Sequence, residues 1–180
     1  MLLRTATSVI AIVLHLAAPA AGQAIPFSQH AVVSQTVGVT VMTIAYNRPT
    51  ARGRTLFGAT GVVKWDQIWH PGADSASRIE FTRPVSIEGH AIPAGEYSLW
   101  LIPRESSAWT LIVSRAARVF HQPYPGEEFD LARIDVAPEQ GPHMDALAYY
   151  FPTVGRDSTI LRIHWGTTVL PIRIRAPLDP

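Results

Sequence analysis

From His30 to Ala176 the chain is built of short runs in which β-branched and aromatic residues alternate with polar ones, cut repeatedly by glycine or proline. Alternation at period two suits a half-buried strand, because successive side chains leave a strand on opposite faces. HAVVSQTVGVTVMTIAY, starting at His30, reads as two strands about a turn at Gly38. A second pair spans Arg78 to Ile87, with Ile79 and Phe81 on one face, a break at Pro84, then Val85 and Ile87. EGHAIPAGEYSLWLIP turns at Gly89 and Gly95 and then alternates Tyr97, Leu99 and Leu101 with Ser98, Trp100 and Ile102. WTLIVSR from Trp109 and FDLARIDVAP from Phe129 add two more. The tail is expected to give three strands, ALAYYFP, STILRIHWG and TTVLPIRIRA. Ile160, Arg162 and His164 then share one face, and Leu161, Ile163 and Trp165 the other.

No segment carries apolar residues at helical spacing between recognisable caps. Fifteen prolines and twelve glycines punctuate the runs instead. Roughly nine short strands with polar turns predict an all-β chain, a single antiparallel β-sandwich or jelly-roll-like domain over residues 25–180. There is no internal repeat and no low-complexity tract.

The first stretch, MLLRTATSVIAIVLHLAAPAAGQA, stands apart. One positive charge at Arg4, an apolar run from Val9 to Leu16 and then small residues predict a signal peptide over residues 1–24, cut after Gly22 or Ala24. The run falls short of the ~20 apolar residues that span a bilayer, so no transmembrane segment is expected in the mature chain. The expectation is an exported protein, periplasmic or secreted. It has no cysteine to form a disulfide, so packing and hydrogen bonds must hold the fold.

Loss of Arg4 with the leader brings the 15 basic residues level with the 14 acidic ones. A balanced chain offers no general attraction to nucleic acid or to an anionic membrane. One short segment does concentrate charge: YNRPTARGRTLFG, from Tyr46 to Gly58, carries three arginines although the whole chain has one lysine.

That segment resembles the bacterial family known as domain of unknown function 2911. The likeness continues in order through HAVVSQTVGVT, IWHPGADSAS, IPAGEYSLWLIP, WTLIVSR and DLARIDV, and LRIHWGTTVLPIRI is similar to the family's final hairpin. The resemblance covers nearly all of the mature chain and implies an exported, β-rich bacterial protein, with no activity attached. Where the family tends to have W-R-x-G-A-N, this chain has Trp69-His70-Pro71-Gly72-Ala73-Asp74, a cation lost and a carboxylate gained.

Two loops are the candidate site. Pro49 pushes Arg48 towards an extended backbone, and Gly53 permits a tight turn flanked by Arg52 and Arg54. Guanidinium forks bind carboxylates and phosphates, which suits a small anionic ligand. They serve equally well to bond the carbonyls of an irregular loop or to pair with the protein's own carboxylates. In the second loop Trp69 can stack, Gly72 can turn the chain and Asp74 can pair with Arg52 or Arg54. His70 is the candidate catalytic group, since an imidazole titrates near neutral pH. Tyr46, Arg48, Arg52, Arg54, Trp69, His70 and Asp74 are therefore the expected ligand-binding residues.

Other chemistry finds little purchase. The histidines beyond the leader, His30, His70, His90, His121, His143 and His164, show no metal-binding spacing, and no metal or cofactor is expected. Glu127, Glu128 and Asp130 lack the alternating pattern of a calcium loop and read as a solvated turn. Nucleotide-binding glycine motifs and a nucleophile elbow are absent. Trp65, Trp69, Trp100, Trp109 and Trp165 suit core or rim packing, or else a sugar-stacking platform. The leading expectation is a non-enzymatic binding or accessory domain for a small anionic or sugar-like ligand. A hydrolase or lyase using His70, with Arg52 or Arg54 stabilising an anion, stands as the second reading. A protein-interaction domain whose arginine loop is internally salt-bridged stands as the third.

Overall fold

The computed structural model describes residues 27–178, so the expected leader lies outside the described residues. Ten strands follow in order: β1 (Gln29–Val37), β2 (Thr40–Arg48), β3 (Arg78–Phe81), β4 (Val85–Ile87), β5 (His90–Ile92), β6 (Gly95–Ile102), β7 (Trp109–Ser114), β8 (Asp130–Val136), β9 (Glu139–Val154) and β10 (Ser158–Arg175). A short 3₁₀ turn at Glu127–Phe129 precedes β8. One sheet runs β1-β2-β3-β6-β7-β8 and the other β5-β4-β10-β9. Every pairing is antiparallel, as the alternating runs predict for an all-β sandwich. Among the described residues no helix is long and apolar enough to cross a membrane.

Side-chain parity decides which face meets the core. In β2, Met42, Ile44 and Tyr46 are buried while Val41, Thr43 and Ala45 are only partly covered. In β3 and β6, Ile79, Phe81, Leu99 and Leu101 turn inward onto Leu161, Ile163 and Leu170 of the opposite sheet, all in one apolar cluster. Each fully buried side chain of this kind contributes about 1.5–3 kcal/mol.

The tail departs from the expected three strands. STILRIHWG and TTVLPIRIRA form one strand, β10, and its hairpin partner is β9. Gly166 does not turn the chain back. It sits at a register shift with φ 61° and makes a bulge. An extra residue exchanges the two faces of a strand. Inward positions therefore pass from Leu161, Ile163 and Trp165 before the bulge to Leu170, Ile172 and Ile174 after it. His164, expected on the other face from Trp165, is buried as well, held between the Tyr150 hydroxyl and the Pro142 carbonyl.

The connection from β2 to β3 does most to build the sites. Its first half closes one end of the sandwich: Thr50 bridges Ala146 of β9, and Phe57 packs on Trp65, Trp109 and Trp165. Its second half returns along β6, where Trp69 bridges Leu101. The segment after β7 then folds over the outer face of the six-stranded sheet. There Val119 and Tyr124 cover a second small cluster of Ala76, Trp100 and Ile112.

Candidate functional site

The arginine segment is a tight turn. Arg52 and Gly53 both have left-handed backbone (φ 50° and 70°), and the Arg54 N–H donates to the Ala51 carbonyl at 3.0 Å. Positive φ at both central positions defines the type I′ turn, which asks for glycine at one of them. Asp145 of β9 anchors the turn. Its main-chain carbonyl accepts from Ala51 N–H at 2.7 Å and its carboxylate from Arg52 N–H at 3.1 Å.

The three guanidinium groups go different ways. Arg48 Nε donates to the Leu147 carbonyl at 3.1 Å. Arg54 donates from Nε to Ala51 O at 3.0 Å and from Nη2 to Thr50 O at 2.7 Å. Arg52 lies over the Phe27 ring, 5.2 Å from its centroid. Among the described residues none of the three forms an ion pair. Of the two structural partners expected for these arginines, the carbonyls of the loop and of β9 rather than carboxylates take the Arg48 and Arg54 donors.

Asp74, the expected partner, is elsewhere. A left-handed φ of 60° sets its backbone. Its carboxylate accepts from Asn47 Nδ2 at 3.3 Å, and its carbonyl accepts from His121 N–H at 2.8 Å and His121 Nδ1 at 2.7 Å. Trp69 stacks on Trp165 at 5.9 Å with an interplanar angle of 14°. Tyr46 is core: its ring meets Tyr149 edge-on at 4.5 Å, and its hydroxyl oxygen accepts the Tyr149 N–H at 3.2 Å.

His70 is 5% exposed. Its Nε2 accepts the Ser77 backbone N–H, while the Ser77 hydroxyl donates to the Pro71 carbonyl at 2.9 Å. An amide N–H can only donate, so Nε2 holds a lone pair and the ring proton sits on Nδ1. Burial, reinforced by His121, lowers the His70 pKa from 6.5 to about 3. The ring therefore stays neutral at physiological pH, which makes it a weak base there.

Four of the expected residues, Tyr46, Arg54, Trp69 and His70, line three different cavities. Arg54 lines a cleft of about 470 Å³ with Phe57, Trp65, His143, Trp165 and Thr167–Thr168. Trp69 and His70 line a smaller cavity of about 250 Å³ with Trp100, His121, Gln122 and Tyr124. Tyr46 lines a third, of about 410 Å³, with Arg78, Arg118 and Phe120. Among the described residues, Arg54 and His70 line separate cavities.

Of the five tryptophans, Trp100, Trp109 and Trp165 are buried, and Trp65 and Trp69 are half-buried at the end of the sandwich. Sequence reasoning missed Asp145, which anchors the turn, and His121 and Ser77, which frame His70. Asp145 and His121 meet their partners across long sequence separations, and Ser77 closes the IWHPGADSAS block without a residue type that singles it out. The acidic turn is tied down internally: Arg133 pairs with Asp130 at 2.7 Å and Glu127 at 2.9 Å. Among the described residues no three His, Asp or Glu side chains gather where they could hold a metal ion.

No curated protein and no solved structure matches the chain. A family model described as a protein of unknown function (DUF2911) matches residues 28–174, and the chain belongs to that family.

Proposed function

We propose that this is an exported, non-catalytic binding domain that holds a small anionic or sugar-like ligand in the cleft between the arginine turn and the aromatic end of the sandwich. One observation carries the reading: a fixed guanidinium stands at the rim of an aromatic cleft. Two hydrogen bonds to Thr50 and Ala51 hold Arg54 in place, and among the described residues its Nη1 has no partner. Pre-organisation of this kind lowers the entropy lost when a carboxylate binds. The half-buried Trp65 supplies ring surface for an apolar sugar face over the buried Trp165, and Thr167, Thr168 and His143 supply polar groups for hydroxyls. A volume of about 470 Å³ lies within the usual range for small-ligand sites. Polar groups converging on an aromatic wall are the usual make-up of such a site.

The catalytic reading is the weaker one, since His70 is neutral and lines a different cavity from Arg54. Calorimetric titration of the mature protein with glucuronate, glucose and acetate separates the charge from the ring. Tightest binding of glucuronate supports the proposal, and no heat with any of the three refutes it.

A further inference from the structure

The cavity beside His70 holds a second arrangement, independent of the arginine cleft. His70 and His121 both line it, ring centroids 6.3 Å apart and planes 29° from parallel. Each ring has one nitrogen committed to the backbone. Nε2 of His70 accepts from Ser77 N–H, which places the proton on Nδ1. Nδ1 of His121 lies 2.7 Å from the Asp74 carbonyl, and a carbonyl can only accept. The His121 proton is therefore on Nδ1, and Nε2 keeps its lone pair. The two remaining nitrogens have opposite roles, a donor at His70 Nδ1 and an acceptor at His121 Nε2. Among the described residues neither has a hydrogen-bond partner. His70 is almost wholly buried and lines this cavity.

Trp69 is half-buried, Trp100 is buried with its indole N–H donated to Ser98 Oγ at 2.9 Å, and the exposed Gln122 brings a further polar side chain to the lining. Tyr124 donates its hydroxyl to Asp130. Burial and that bond push its pKa up to about 12, so it stays a neutral ring wall. Metal binding does not suit the pair, because His70 offers a protonated nitrogen rather than a lone pair.

We propose that the His70–His121 cavity is a binding site for a small planar molecule presenting a cis-amide edge, such as a lactam or a cyclic imide. The carbonyl accepts from His70 Nδ1–H, the neighbouring N–H donates to His121 Nε2, and the ring lies against Trp69 and Trp100. The cavity volume of about 250 Å³ admits one small ring. A fragment this small binds on the order of millimolar, which is measurable by NMR.

The test uses the full mature chain with ¹⁵N-labelled histidine, at pH 8, where an ordinary imidazole is neutral. The probes are δ-valerolactam and N-methyl-δ-valerolactam. The lactam is expected to shift the His70 Nδ1 and His121 Nε2 resonances saturably, and the N-methyl compound, which cannot donate, to bind about tenfold more weakly. His121→Asn keeps a donor for the Asp74 carbonyl but deletes Nε2, and is expected to lose the lactam response. His121→Phe serves as the second variant should the first not fold. Unmoved ring resonances, equal binding of the two probes, or an unchanged response in a folded His121 variant would each overturn the proposal.

Discussion

The backbone N–H of Ser77 donates to Nε2 of His70, and this one bond decides what the imidazole does. It selects the tautomer, opposes protonation of Nε2 and fastens the WHPGAD block to the start of β3. A histidine that looked available for catalysis in the sequence is thereby a neutral, structural acceptor on one side and a fixed donor on the other.

Acid should weaken the fold through this residue. Burial holds the folded His70 pKa near 3 against an ordinary value of 6.5. Above pH 6.5 neither state carries the proton, and the full contribution is present. Between those values the unfolded chain binds a proton that the folded chain refuses, so stability falls as pH drops. Urea denaturation at pH 7.5, 5.5 and 4 is expected to show this loss in the wild type. His70→Gln, which keeps an acceptor for Ser77, should show a shallower slope, and identical slopes would rule the mechanism out.

Gly72 is required for room rather than for backbone freedom. A Cβ placed there would lie 2.5 Å from Ser77 Oγ and 2.7 Å from His70 Cε1. Gly72→Ala must therefore displace the imidazole or the Ser77 contact, a loss of about 1–3 kcal/mol typical of overpacking. A denaturation midpoint equal to wild type would contradict the packing described around His70.

Tyr46 and Tyr149 give a cleaner deletion. Removing the Tyr46 hydroxyl leaves the buried Tyr149 N–H without its acceptor and changes the ring packing little. Tyr46→Phe is expected to cost about 1–3 kcal/mol, read as a lower urea midpoint with an unchanged slope. A neutral effect would mean that water or another acceptor satisfies that N–H.

Much of the fold was legible because strand parity is local. Met42, Ile44 and Tyr46, or Leu99 and Leu101, announce their buried face by spacing alone. Gly53 likewise announced a tight turn. Gly166 misled because a glycine in a strand can reverse the chain or bulge it. Only the partner strand distinguishes the two, and here β9 pairs on both sides of the shift. The candidate site was less legible for the same reason. Arg48, Arg54 and Asp74 were visible as charges, but their partners are carbonyls and an asparagine chosen by the tertiary fold. Asp145 and His121 carry no local signature at all.

Calorimetry of glucuronate against glucose, in the wild type and in Arg54→Gln, tests whether Arg54 reads a negative charge at the rim of the aromatic cleft. The wild type should bind glucuronate about ten- to a hundredfold more tightly than glucose, the range expected for a charge-assisted hydrogen bond. The variant should bind the two alike. A glucuronate affinity unchanged in folded Arg54→Gln, or no binding of either sugar to the wild type, would contradict the account.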